Sequence, residues 1–121
     1  MSRTSTSIVK PTITYGALVG QVILNYRKRT GVDQVVIAKA LGITQSAYSR
    51  LEKGQSAMNL TQLRVVAGQF GVASSDLLTE ADALATRLRF QGVEVTDAKL
   101  VSPGAILVAL GILAAILASG K

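Results

Sequence analysis

The chain of 121 residues contains no cysteine, no histidine and no tryptophan. Without cysteine it cannot form disulfides or use a thiol, and without histidine as well it lacks the usual zinc ligands. The absence of histidine also removes imidazole acid–base catalysis. No arrangement of nucleophile and base, and no phosphate-cradling glycine loop, replaces these groups. The sequence therefore predicts a protein that is not an enzyme and that uses no cofactor and no metal.

Acidic residues are scarce in the N-terminal two thirds of the chain. Residues 1–78 carry nine lysines and arginines but only three acidic residues, whereas residues 79–121 carry four of each. The net charge of +6 therefore lies entirely in the N-terminal part. A basic segment of this kind is typical of a module that meets a polyanion, and it favours double-stranded DNA as the partner.

Helix start and stop signals are dense between residues 15 and 78. Asp33, Thr44 and Asn59 are good N-caps, and a glycine follows each of the first four expected last turns. Apolar side chains recur at helical spacing between these signals, and strand alternation is absent. The pattern predicts an all-α domain of five helices, which cover residues 15–30, 34–41, about 45–53, about 60–70 and a last short turn, "SSDLL".

Two of these helices have the pattern of a helix-turn-helix. Gly42 lies in the tight turn, and Ala38 is small where the two helices cross. The outward positions of the second helix carry hydrogen-bonding side chains, which a helix in the major groove needs in order to contact base edges. The predicted base-reading residues are Gln45, Ser46, Ser49 and Arg50. Residues predicted to contact the DNA backbone, and so to set register and affinity, are Thr44, Lys53, Gln55, Asn59 and Arg64.

The stretch "TGVDQVVIAKALGITQSAYSRLEKGQSAMNLTQLRVVAGQFGVASSDLL" resembles the phage-repressor-like (Xre/Cro/C1) helix-turn-helix family. The resemblance covers about residues 16–78, and its markers are Gln34, "LGIT" at the turn, "SRLEKG" and "FGV". It implies a repressor-like transcription regulator that binds DNA. It also implies that Gln34 contacts a phosphate and supports Gln45, and that Glu52 forms a structural ion pair with Arg27.

A long apolar run occupies the C-terminus, where 21 uncharged residues separate Lys99 from Lys121. As a helix they would span about 31 Å, close to the thickness of the hydrocarbon core of a bilayer. The sequence therefore predicts a transmembrane tail anchor in contact with membrane lipid. Basic residues ahead of it predict localisation at the cytoplasmic membrane, with the N-terminal domain facing the cytoplasm. A face of small residues is predicted to pack membrane helices together and form a homodimer, and it comprises Gly104, Gly111, Ala115 and Ala118.

The predicted organisation has four parts: a flexible arm over 1–14, a five-helix repressor-like helix-turn-helix domain over 15–78, a linker with a short helix over 79–100, and a single C-terminal transmembrane helix over 101–120. The favoured function is a membrane-tethered, sequence-specific DNA-binding transcriptional regulator. One alternative is a membrane-anchored adaptor whose domain binds a protein partner, which two exposed valines, Val35 and Val36, would favour. Another is a soluble repressor whose tail forms the core of an oligomer.

Overall fold

Six helices and two short strands make up the part of the chain that the computed structural model describes, residues 10–97 and 101–119. Helices dominate, and each strand has only three residues. In chain order the elements are β1 (Thr12–Thr14), α1 (Tyr15–Thr30), α2 (Gln34–Leu41), α3 (Gln45–Glu52), α4 (Leu60–Gln69), α5 (Ser74–Phe90), β2 (Glu94–Thr96) and α6 (Pro103–Ser119).

Side-chain caps determine where three of the helices begin. Thr14 and Thr44 each accept a hydrogen bond from the amide three residues further on, at 3.1 Å, at the starts of α1 and α3. Asn59 and Gln62 form a reciprocal capping box at the start of α4. Each cap satisfies an amide that has no carbonyl partner within the helix. The sequence signals at Thr44 and Asn59 therefore act where they were expected to act.

A close crossing of α1 and α3 holds the two helices together. Gly20, in the middle of α1, is buried, and a Cβ atom at this position would collide with the carbonyl oxygen of Glu52 at the end of α3. Only glycine permits this approach of the two backbones. Around the crossing lies the core, whose largest fully buried side chains include Tyr48, Ile13, Leu18, Ile23 and Ile37.

The two strands join the segment before α1 to the segment after α5. They pair in parallel, with Thr12 opposite Glu94 and Thr14 opposite Thr96. Ile13, between the two threonines, is fully buried. Residues 12–14 and 94–96 therefore belong to the folded domain, although the sequence places them in an arm and a linker. Residues 1–9 of the predicted arm and residues 98–100 of the predicted linker lie outside the described residues.

Helix α5 is continuous, whereas the sequence predicts a short turn, "SSDLL", followed by a separate short helix within the linker over 79–100. At its start the carboxylate of Asp76 accepts a hydrogen bond from the amide of Ala73 at 2.8 Å. Its buried residues then recur on one face along the whole helix, and they are Leu77, Ala81, Leu84, Ala85 and Leu88. This stripe packs against the core from Leu77 to Leu88, a little over three turns, so nothing interrupts the helix at residue 79.

The prediction of a transmembrane helix over 101–120 is wrong. Among residues 10–97 and 101–119, no helix combines the length and the apolar character that crossing a membrane requires. Helix α6 has 17 residues and is therefore about 25 Å long, short of the roughly 30 Å of a bilayer's hydrocarbon core. One side of it is buried in the protein, where it packs against β1 and α5, and the buried residues are Ala105, Ala109, Leu113 and Ile116.

The predictions that required a membrane helix are not supported either. Localisation at the cytoplasmic membrane, contact with membrane lipid and the membrane-anchored adaptor are not supported. The small residues predicted to pack helices inside a membrane are Gly104, Gly111, Ala115 and Ala118. All four are exposed, on the side of α6 opposite its buried face.

Candidate nucleic-acid interface

Local backbone and side-chain hydrogen bonds hold the turn between α2 and α3, and Ile43 of this turn packs against the core. Gly42 has a φ of 71°, in the left-handed region that glycine adopts without strain. The next amide, that of Ile43, donates to the carbonyl of Ala38 at 3.0 Å. Thr44 then caps α3. These bonds pair the polar groups of the turn and so fix the orientation of α3 relative to α2.

The outward face of α3 is polar and carries no acidic side chain. Gln45, Ser46 and Arg50 are exposed, and Ser49 is half-buried. The spacing of these four residues places them on one side of the helix. The opposite side is buried and consists of Tyr48, Leu51 and Glu52. The structure therefore brings the four predicted base-reading residues together on the face of α3 that points away from the core.

A buried carboxylate fastens α3 to the two preceding helices. Glu52, the last residue of α3, is only 5% exposed. Arg27 of α1 donates to it in a bidentate arrangement, from Nε to Oε2 and from Nη2 to Oε1, both at 2.9 Å. Gln34 of α2 donates from Nε2 to Oε1 at 3.0 Å, and the Tyr48 hydroxyl donates to Oε2 at 2.8 Å. Each carboxylate oxygen thus accepts two hydrogen bonds.

The network shifts the pKa values of its members in the directions expected for a charged carboxylate. Burial by itself would raise the pKa of Glu52, but the hydrogen bonds from Arg27, Gln34 and Tyr48 outweigh burial and hold that pKa below its usual value. The pKa of Tyr48 is raised by burial and by the neighbouring negative charge of Glu52. The hydrogen bond to Glu52 also raises the pKa of Arg27. Glu52 is therefore ionised at neutral pH, and it acts as a structural group.

Apart from Gln34, the residues predicted to contact the DNA backbone lie at the two ends of α3, in the loop that follows it, and on α4. Lys53, Gln55 and Arg64 are exposed. Thr44 and Asn59 are exposed too, but each uses a side-chain oxygen to cap a helix, which leaves the Thr44 hydroxyl hydrogen and the Asn59 Nδ2 as donors. The loop after α3 folds back onto it, because the amides of residues 55 and 56 both donate to the carbonyl of Arg50.

Gln34 occupies a position inside the protein that the sequence does not predict. It is half-buried, and its amide nitrogen donates to Glu52. It therefore joins α2 to α3 through the carboxylate. Its contact with a phosphate and its support of Gln45 stay predictions.

The comparisons with known proteins agree with this geometry. Residues 23–77 match the family model described as helix-turn-helix, of the Xre/Cro/C1 type. This part of the chain, 55 of its 121 residues, is similar to helix-turn-helix domains. The family is a DNA-binding family and not an enzyme family. No curated protein and no solved structure matches the chain significantly.

The matched residues of the helix-turn-helix domain contain the site and its support. They include α2, α3 and α4 completely, together with Arg27 and Glu52. The helix α6 lies outside the match. Within residues 10–97 and 101–119, no three acidic residues lie close enough together to hold a metal ion.

Two contacts that support the candidate site were not predicted from the sequence. Gly20 was not singled out, because its role depends on a contact with residues more than thirty positions away. Tyr48 lies at an inward position of α3, and its hydroxyl donates a hydrogen bond to Glu52, which was not predicted. The spacing of four between Tyr48 and Glu52 on one helix was the signal available for this second contact.

Proposed function

We propose that the chain is a sequence-specific DNA-binding transcriptional regulator of the repressor type, with α3 lying in the major groove. The observation that supports this most directly is the outward face of α3, which is polar, free of acidic side chains and held rigidly from behind by Glu52. A rigid element lowers the entropy cost of binding, because few groups must be ordered on the DNA.

Different residues carry different parts of the recognition. Arg50 reads guanine and Gln45 reads adenine, each with two hydrogen bonds, and Ser46 and Ser49 supplement them. Each bidentate pair contributes about 1–3 kcal/mol of discrimination against a wrong base. Phosphate contacts come from the residues around α3, namely Gln34, Thr44, Lys53, Gln55, Asn59 and Arg64. They set register and affinity without reading sequence.

The regulator acts as a homodimer on a palindromic site. One recognition helix offers only four side chains to the bases and so defines a short half-site. Two copies related by a two-fold axis double the number of contacts, with half-site centres about 34–36 Å apart or a multiple of this spacing.

Selection of binding sites from a random duplex pool by the full chain tests the proposal. We expect a palindromic motif. The double variant Gln45→Ala/Arg50→Ala loses the motif while its thermal unfolding stays unchanged, because both side chains are exposed. Lys53→Ala keeps the motif, but it weakens binding to all sequences alike and reduces the salt slope by about one.

Lys28→Ala serves as a matched control because it removes one exposed cation from the end of α1, outside the proposed contact residues. It keeps both the motif and the affinity of the wild-type chain to within a few-fold. The absence of any motif for the wild-type chain, or an unchanged motif for the double variant, would contradict the assignment of α3 as the base-reading helix.

A further inference from the structure

Helix α3 is attached to α2 at both of its ends. At its start the attachment is the turn, in which the amide of Ile43 donates to the carbonyl of Ala38 at 3.0 Å and Thr44 caps α3. At its end the attachment is a side-chain hydrogen bond, from Nε2 of Gln34, the first residue of α2, to Oε1 of Glu52 at 3.0 Å. Of the hydrogen bonds that Glu52 accepts from the described residues, this one comes from α2, whereas the others come from α1 and from α3 itself.

The side chain of Gln34 has the groups to bind a second partner at the same time. Its amide nitrogen carries two hydrogens, and the bond to Glu52 uses one of them. The residue is half-buried, so part of its side chain is in contact with solvent. The second hydrogen is therefore available to a phosphate oxygen of the DNA, which accepts hydrogen bonds. One amide group then lies between the DNA backbone and the buried carboxylate.

The two attachments support different parts of the base-reading face. Gln45 is the first residue of α3 and follows the turn directly, whereas Arg50 lies in the last turn, two positions before Glu52. Gln45 and Arg50 are separated by about 7.5 Å along the helix axis. With the turn as a pivot, a small rotation of α3 moves its far end more than its start. The bond from Gln34 to Glu52 therefore controls the position of Arg50 more than that of Gln45.

We propose that Gln34 is a positioning residue for base recognition, because it holds the last turn of α3 against α2 through Glu52. The inference rests on the proposed function and deepens it: a residue counted there among the phosphate contacts also determines how well α3 discriminates between bases. It differs from the support of Gln45 that the family resemblance implies. A bidentate contact with guanine needs donor–acceptor distances of about 2.7–3.2 Å in both hydrogen bonds, so a displacement of Arg50 by about 1 Å weakens both.

The variant Gln34→Met tests the inference because it removes the amide and keeps the length of the side chain. Its affinity, in the full chain, is measured for the duplex with the selected motif and for duplexes with one base pair changed. Arg50→Ala and Gln45→Ala identify the position that each side chain reads. A bidentate pair corresponds to about 5- to 150-fold discrimination. We expect Gln34→Met to lower the preference at the Arg50 position at least about fivefold and to keep that at the Gln45 position to within about twofold.

Two control variants separate positioning from other effects of the substitution. Gln69→Met makes the same change in another half-buried glutamine, whose Nε2 donates to the carbonyl of Val65 within α4 at 3.3 Å. We expect it to keep both base preferences, because a bond lost at the end of α4 does not move α3. Lys53→Ala removes an exposed cation and weakens binding to all duplexes by the same factor, so it also keeps both preferences.

Titration of the Glu52 carboxyl group tests the bond to Gln34 without DNA. Burial alone would raise the pKa of Glu52, and the hydrogen bonds from Arg27 and Gln34 are among those that lower it. Gln34→Met is therefore expected to raise the pKa of Glu52, as followed by the chemical shift of its carboxyl carbon in the folded protein. Gln69→Met leaves that pKa unchanged. Arg27 and Tyr48 still donate to Glu52 in both variants, and unaltered circular dichroism verifies folding.

Three results would overturn the inference and leave the proposed function standing. If Gln34→Met weakens binding to all duplexes by the same factor, Gln34 contacts phosphate only. If the preference at the Gln45 position falls instead, Gln34 supports the start of α3, as the family resemblance implies. If the pKa of Glu52 does not rise, the two side chains are not bonded. A wild-type chain that selects no motif, by contrast, overturns the proposed function itself and this inference with it.

Discussion

Replacing the buried carboxylate Glu52 by an amide of the same size isolates its electrostatic role. In Glu52→Gln one oxygen becomes an NH2 group, which faces two donors instead of accepting from them. Hydrogen bonds to charged groups contribute about 1.5–3 kcal/mol each, so two lost bonds amount to about 3–6 kcal/mol. This range agrees with the roughly 3–5 kcal/mol measured when one partner of a buried pair is removed. The total free energy of unfolding of a native protein is about 5–15 kcal/mol, so the variant is expected to lose much of its stability.

Urea denaturation followed by far-ultraviolet circular dichroism measures the loss. Glu80→Gln is the matched control, because Glu80 lies 3.9 Å from Arg29 and the two side chains are 40% and 55% exposed. Exposed pairs contribute about 1 kcal/mol or less, so the control stays close to wild type. Equal losses in the two variants would refute the idea that the Glu52 network holds α3 in place.

Acid titration gives the same network a second, independent test. The folded pKa of Glu52 lies below its unfolded value, so its contribution is present above about pH 4.3 and is lost as pH falls through the folded value. The difference in unfolding free energy between wild type and Glu52→Gln therefore shrinks as pH drops below about 4.3. A difference that stays constant to the lowest pH at which both proteins fold would contradict the lowered pKa.

Two further matched pairs test the packing. Gly20→Ala should destabilise the protein by more than 2 kcal/mol, roughly the cost of overpacking, because its methyl group collides with the backbone of Glu52. Gly68→Ala, in α4 with open space around it, should instead stabilise the protein by about 0.5–1 kcal/mol. If Gly20→Ala and Gly68→Ala destabilised the protein equally, the result would argue against the close crossing of α1 and α3. Leu113→Ala should lower the free energy of unfolding by about 2–5 kcal/mol, since Leu113 is only 1% exposed. Leu107→Ala, on the exposed side of α6, should lower it by less than about 0.5 kcal/mol. Urea midpoints decide both pairs, and equal costs for the two leucines would show that α6 does not pack against the domain.

The helix-turn-helix was predictable because its signals are local. Most of the helix boundaries have a cap or a glycine next to them, and the structure uses Thr44 and Gly42 in this way. Asp33, by contrast, precedes α2 without making a side-chain capping bond. The family match confirms the resemblance seen in the sequence. The pairing of Arg27 with Glu52 followed from the resemblance alone, and the additional bonds from Gln34 and Tyr48 were not predicted.

Features that depend on distant residues could not be predicted. The strands β1 and β2 have three residues each and lie some eighty positions apart, so neither shows a period of its own. The continuity of α5 likewise depends on the core beneath it. Ser74 and Ser75 resemble the start of a short turn, but the buried stripe from Leu77 to Leu88 extends the helix through the predicted break.

The tail was predicted wrongly because hydropathy records how apolar a helix is and not what covers it. Apart from Ser119 at its last position, helix α6 has no polar side chain, as is common in a membrane helix. Four of its side chains are buried in the protein, and this accounts for one apolar face. The exposed side of α6 is apolar as well, although a helix packed on a domain commonly has a polar side toward water. The hydropathy of the run is therefore similar for a helix that crosses a bilayer and for one that covers a core, and only the length of the helix and its contacts distinguish the two.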